Sequence, residues 1–134
     1  MSNIFDQLYS KEVLKHVKNP KNMGEIKDAD GVATVGNPRC GDIMRLYIKV
    51  GKRKRQEYIQ DIKFQTLGCG AAIATSSMVT SLVKGKPLSQ AEKITKQTIM
   101  DALGGLPAIK IHCSILADDG LKKAIENYRS KKER

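Results

Sequence analysis

The residues best equipped for chemistry are three cysteines. Cys40 sits in Gly36-Asn37-Pro38-Arg39-Cys40-Gly41-Asp42, a tight loop that places a thiol and a carboxylate two residues apart. Cys69 lies between Gly68 and Gly70, and Cys113 directly follows His112. Glycines beside Cys40 and Cys69 permit backbone angles other residues avoid, and close approach by a bulky ligand. Cys69 and Cys113 are each expected immediately before a helix, where partial positive charge and unpaired amides favour thiolate over thiol. A thiolate so placed is a nucleophile and a soft metal ligand. Three cysteines with Asp42 or His112 give the four donors of a metal site and leave one spare. Cysteine thiolates hold iron–sulfur clusters, with histidine sometimes substituting, and zinc accepts the same donors. A mixed set with a spare ligand suits a site that must release what it holds. One cysteine alone is often a small buried hydrophobe; three at junctions between elements are poorly explained that way.

Composition narrows the field. With 134 residues, 40% hydrophobic and 28% charged, the chain is expected to form one globular domain over 1–134. No stretch approaches the roughly 20 apolar residues of a membrane span, so no membrane partner is expected. The N-terminus lacks the basic start and apolar run of a signal peptide. An odd cysteine number disfavours a secreted disulfide framework, and a cytoplasmic location is the default. The net charge of +10 raises nucleic acid as a partner. However, the basic clusters at 49–55 and 129–134 lack the interleaved aromatics of a single-strand binder, and solvated lysines are the simpler reading.

The elements that must position the cysteines follow from periodicity. Ser10 is expected to cap a helix Lys11–Lys18, ended by Asn19-Pro20; His16, on this basic helix, reads as unremarkable. Residues 21–30 form a polar connection, and 32–35 a short strand. Residues 42–50 alternate, with Met44, Leu46, Ile48 and Val50 on one face and Arg45, Tyr47 and Lys49 on the other. A charged hairpin tip at 51–55 leads to a returning strand at 58–67, with Ile62 and Phe64 inward. Short connections imply an antiparallel meander with one apolar face for helices to cover. Helices are predicted over 71–83, from a capping box at Ser89-Gln90-Ala91-Glu92, over 98–103, and over 114–130, with 106–110 extended between the last two. Ala117, Leu121, Ala124, Ile125 and Tyr128 mark the buried side of the last helix, and Asp118 and Asp119 fall in its expected first turn.

The cysteine stretches at 36–42, 68–77 and 109–117 resemble, in order and spacing, the motifs of the IscU/NifU-type iron–sulfur cluster assembly scaffolds, and the resemblance runs from about Asn3 to Tyr128. It implies an α+β fold of the SufE/NifU-like kind, a three-stranded antiparallel sheet with helices packed on one face. It implies Cys40, Cys69 and Cys113 as cluster ligands and sulfur acceptors, Asp42 as the aspartate that governs cluster lability, and His112 as the histidine before the third cysteine. That histidine, with no long insertion between Cys69 and Cys113, favours the IscU/NifU branch over the zinc-containing SufU-like branch. The implied cargo is a [2Fe–2S] cluster, with zinc as a substitute on the same donors. The implied partners are a cysteine desulfurase of the IscS/NifS type, a ferredoxin-like electron donor and recipient apo-proteins, with a monomer and a homodimer both open. An Hsp70-type chaperone is also implied, but the segment it reads in the family, Leu-Pro-Pro-Val-Lys, is Leu106-Pro107-Ala108-Ile109-Lys110 here. Losing the second proline weakens the preformed extended shape.

On this reading the chain is a scaffold, not an enzyme: a thiolate takes sulfur from a partner's persulfide by the logic of thiol–disulfide exchange. Cys113, with His112 and Lys110 beside it, is the expected principal acceptor. The rivals are a zinc site in a sulfur-transfer protein and a Cys-His-Asp hydrolase. Adjacent side chains usually point apart, which counts against His112 as a base for Cys113.

Overall fold

The structure, a computed structural model, describes residues 10–37, 42–68, 70–106 and 111–132, apart from the side chains of Asn37, Asp42, His112 and Lys132. The elements are α1 (Lys11–Lys18), β1 (Gly31–Asn37), β2 (Asp42–Arg53), β3 (Gln56–Leu67), α2 (Gly70–Val83), α3 (Leu88–Ala91), α4 (Lys96–Ala102) and α5 (Ile111–Lys132). The strands form one antiparallel sheet in the order β1-β2-β3. This is the α+β meander expected from the alternation.

Met44, Leu46, Ile48, Ile62 and Phe64 are buried on the face that α2 and α5 cover. Ile59 is also fully buried, although strict alternation from Ile62 would turn it outward. The register explains this. Lys49 pairs with Asp61 and Val50 with Ile59, so Gln60 is bulged out and the alternation resets. On the opposite face Tyr47 is buried rather than exposed, because its hydroxyl reaches Gln65 Oε1 at 2.7 Å and the ring lies along the sheet. The hairpin is longer than 42–50 and 58–67 suggest. Its turn is Lys54-Arg55, both at positive φ (51° and 68°), the pair of angles that matches the twist of a two-residue hairpin.

Edges are largely spoken for. Gly24 N donates to Phe64 O and Phe64 N to Asn22 O, while Ile59 N donates to Lys86 O and Gly85 N to Ile59 O, so β3 is covered in two places. On the other edge, Val32 N donates to the Asn127 side chain of α5.

Glycine sets how closely α5 can lie on β1. A Cβ on Gly31 would stand 2.3 Å from Ala124 O, a backbone atom fixed by the helix. One on Gly120 would meet side chains only: the Cε of Met44, also at 2.3 Å but the movable end of its side chain, and Val35 Cγ2 at 3.3 Å.

Several local expectations are corrected. Ser89 caps nothing: α3 is a four-residue turn behind Pro87, with no side-chain cap. The capping box belongs to Thr95 and Thr98 at the start of α4. The final helix starts at Ile111, three residues earlier than 114, so Asp118 and Asp119 are beyond its first turn. Asp118 instead accepts from Lys96 N, the first residue of α4, and pairs with Lys122; Asp119 pairs with Lys123. Its charge therefore serves the neighbouring helix's N-terminus rather than its own. Finally, His16 is buried, with Nδ1 2.6 Å from Ser77 Oγ.

Candidate functional site

Three chain ends meet at one pole of the sheet. Asn37 at the end of β1 pairs with Asp42 at the start of β2, and Ile43 pairs with Leu67 at the end of β3. The helix α2 begins at Gly70, and α5 at Ile111. Cys113 joins these pieces. It is 1% exposed and packs with Ala71 and Ala72, residues of the second cysteine motif, and with Leu106. It also borders a void of about 10 Å³ whose walls include Ile43 and Met44 of β2, Thr66 of β3, and Thr75 and Ser76 of α2. That is room for roughly one water-sized sphere. Cys113 thus stands against segments that continue directly from the other two motifs: Ile43 follows Asp42, and Ala71 is two residues beyond Cys69.

Cys40 and Cys69 lie outside the described residues, as do the side chains of Asp42 and His112. Among the described residues no group of three His, Cys, Asp or Glu side chains is placed to hold a metal. The expectation that Cys113 precedes a helix is corrected: it is in the first turn of α5. It therefore keeps the neighbourhood of unpaired helix amides, but it is covered by the start of α2.

The floor beneath Cys113 is polar by helix standards yet satisfied. Thr75 Oγ1 bonds back to Ala71 O at 2.9 Å, and the Ser76 hydroxyl is 2.8 Å from Ala72 O and 3.0 Å from Met44 Sδ. Small side chains let α2 settle closely against the sheet, and back-bonding absorbs their hydroxyls. Ser77, one residue further on, receives Lys21 N at 2.8 Å and contacts His16, tying α1 and the following loop to the same helix. Burial in this contact lowers the His16 pKa from its ordinary value, opposed in part by Glu12, with Lys15 and Lys21 also lowering it. The sequence offered no sign of this role, since the partner is 61 residues away.

Both long helices run in the same direction from this pole. The start of α2 is at the void, and Gly85, just beyond its end, bonds to Ile59 in mid-hairpin. The start of α5 carries Cys113, while near its far end the Tyr128 hydroxyl bonds to Glu57 beside the hairpin tip. Two helix N-termini, the positive ends of two macrodipoles, are therefore aimed at the end of the molecule where the cysteine motifs enter and leave the sheet.

A small antiparallel sheet with helices over one face, whose turns at one pole carry the cysteine motifs, defines a SufE/NifU-like α+β protein. The chain belongs to the NifU-like N terminal domain family, whose model matches residues 8–134. It is 57% identical over 121 residues to the iron-sulfur cluster assembly scaffold protein IscU 1 of Archaeoglobus fulgidus, covering 90% of this chain and 76% of that one. It is 47% identical over 133 residues to the mitochondrial iron sulfur cluster assembly protein 1 of Schizosaccharomyces pombe, covering 97% and 67%. In fold it is similar to the N-terminal NifU-like protein of Brucella abortus, with a TM-score of 0.68, 19% identity, and 96% and 99% of the two chains covered.

Proposed function

We propose that this chain is a scaffold on which an iron–sulfur cluster is built and from which it is passed on, with residues 1–134 acting as one scaffold domain. Family membership and high identity to proteins named as such scaffolds support the general role. The observation that carries the local reading is the packing of Cys113 against Ala71 and Ala72, beside Ile43 and Met44. It draws the third cysteine motif to residues of the second and to those that directly follow the first.

In this reading Cys40, Cys69 and Cys113 are the sulfur ligands of a [2Fe–2S] cargo, and Asp42 or His112 completes the set. Sulfur arrives as the terminal atom of a persulfide on a cysteine desulfurase. A thiolate here attacks that atom, the donor's S–S bond breaks, and the donor leaves as a thiolate. Electrons from a ferredoxin-like partner reduce the transferred sulfur to sulfide, and recipient apo-proteins then take the cluster. The chain is a scaffold rather than an enzyme, since what it binds is what it hands on. The reading places it in a reducing compartment, the cytoplasm; no helix among the described residues is long and apolar enough to cross a membrane.

Cys113 as the sulfur acceptor carries a condition. At 1% exposure its sulfur is closed to a persulfide held on another protein, so the first turn of α5 must part from Ala71 and Ala72 before transfer. In a Cys40→Ser/Cys69→Ser background, a bulky thiol reagent should therefore modify Cys113 slowly and faster with rising sub-denaturing urea.

The test of function is reconstitution without oxygen, using ferrous iron and either free sulfide or a desulfurase with cysteine. A brown protein with sulfide-dependent visible absorption, and with iron and acid-labile sulfide bound together, is the expected outcome. A colourless protein that takes up one tight zinc and no cluster would move the assignment to the zinc-bearing sulfur-transfer reading.

A further inference from the structure

We propose that the β2–β3 hairpin tip, at the pole opposite the cysteine motifs, is a docking site for an acidic segment of a partner protein. Lys52, Arg53, Lys54 and Arg55 are consecutive and exposed. Lys86 is exposed beside them, because the backbone of Lys86 and Pro87 pairs with Ile59 and Tyr58. Some cations elsewhere in the molecule have acidic partners: Lys49 with Asp28 and Asp30, Lys84 with Asp61, and Arg129 with Glu92. Lys52, Arg53, Lys54 and Arg55 form no ion pair among the described residues. Close like charges repel one another, and an incoming carboxylate relieves that repulsion.

The turn itself says that the charge is there for more than folding. Lys54 and Arg55 adopt positive φ, the conformation that Asn and Gly fill with the least strain. A hairpin chosen only for stability would carry Asn-Gly here. This one accepts two strained cations instead. The tip is also held in shape: the Arg53 guanidinium lies 4.5 Å from the Tyr58 ring centroid, and Gly51 has only hydrogen where a Cβ would stand 2.8 Å from that ring. Arg53 just before the turn and Arg55 within it offer planar, forked donors suited to carboxylates.

The shape favours a protein over a nucleic acid. The cations crown a convex tip instead of lining a groove that would follow a phosphate backbone, and the Tyr58 ring there already carries the Arg53 guanidinium over one face. The site is also remote. β2 has 12 residues and at about 3.4 Å per residue holds the tip roughly 37 Å from Asp42, so a docked segment leaves the cysteine pole clear.

The test is fluorescence anisotropy of a labelled poly-L-glutamate peptide against the full chain at low and near-physiological salt. Lys54→Asn/Arg55→Gly removes two charges while installing the favoured turn residues, so it keeps the hairpin. Adding Arg53→Gln removes a third. A control, Lys11→Gln/Lys18→Gln/Lys93→Gln, removes equal charge from exposed positions elsewhere. The tip variants should bind about tenfold more weakly or worse, with the control within about twofold of the wild type. Equal losses in tip variant and control would mean that only net charge matters and would overturn the proposal. So would a single-stranded RNA 20-mer that binds the tip more tightly than the peptide at near-physiological salt, because it would assign the site to nucleic acid. Cluster reconstitution, measured on the same variants, reports separately on the scaffold reading and should be unchanged.

Discussion

The two ends of β2 are built by different rules. At Asp42 the strand enters a pole where four chain segments crowd together, side chains are small, and hydroxyls bond back to their own helix. At Arg53 it enters a tip of long, exposed charged side chains, one of them lying over a tyrosine ring. The first is shaped by close packing around Cys113, the second by electrostatics in solvent. Helix direction reinforces the contrast. Both long helices start at the pole that holds Cys113 and end toward the cations of the hairpin tip, so their positive ends face the thiol and their negative ends the cations.

That division can be broken in graded ways. The largest effect should come from Cys113→Ser, which is expected to abolish retention of iron and acid-labile sulfide on reconstitution, while Lys54→Asn/Arg55→Gly leaves both at wild-type levels. If the tip variant also lost the cluster, the two poles would not be independent. Next is Gly31→Ala. The added methyl faces the Ala124 carbonyl, so α5 must lift from β1, and urea unfolding should show a loss of about 3 kcal/mol. Gly120→Ala should stay within about 1 kcal/mol of the wild type, because Met44 can swing aside and the helix gains propensity.

Asp42→Ala should lengthen the lifetime of a reconstituted cluster in air severalfold, followed as decay of its visible absorption. An unchanged or shorter lifetime would remove the aspartate from control of lability. The smallest effect concerns His16. Its pKa is lowered in the fold by burial, so neutral His16 contributes stability that is fully present above its unfolded pKa of about 6.5. That contribution is lost as pH falls through the folded value. The thermal midpoint of the wild type should fall more steeply between pH 7 and pH 5 than that of His16→Gln. Ser77→Ala, which strips a partner from both His16 and Lys21 N, should cost about 1–2 kcal/mol at pH 7.

Much of this architecture is legible along the chain. The alternation from Met44 to Ile48 gives a strand with one buried face, Ser10 and Asn19-Pro20 bracket α1, and the apolar positions from Ala117 to Tyr128 give the inner side of α5. The cysteine motifs, in order and spacing, give the family. The misses have local causes. Ser89 has the residues of a capping box but follows Pro87 in a four-residue turn. Cys113 is expected before its helix because Ile111 to Cys113 continue α5 without a capping signal in the sequence; what Cys113 packs against, Ala71, Ala72 and Leu106, is far away along the chain or outside the helix.

What the sequence determined by itself is therefore short-range: element types, most of their faces, and the identity of the chemically able residues. These follow from side-chain period, turn chemistry and motif spacing, all written within a few neighbouring residues. The tertiary structure alone decided that Gln60 bulges and turns Ile59 inward, that His16 finds Ser77, that Asp118 serves α4, that Cys113 is sealed against Ala71, and that Cys113 and the cations of the hairpin tip occupy opposite ends. Each depends on atoms far apart along the chain, brought together only when the sheet and its two parallel-pointing helices close around one apolar core, and no local pattern encodes such a meeting.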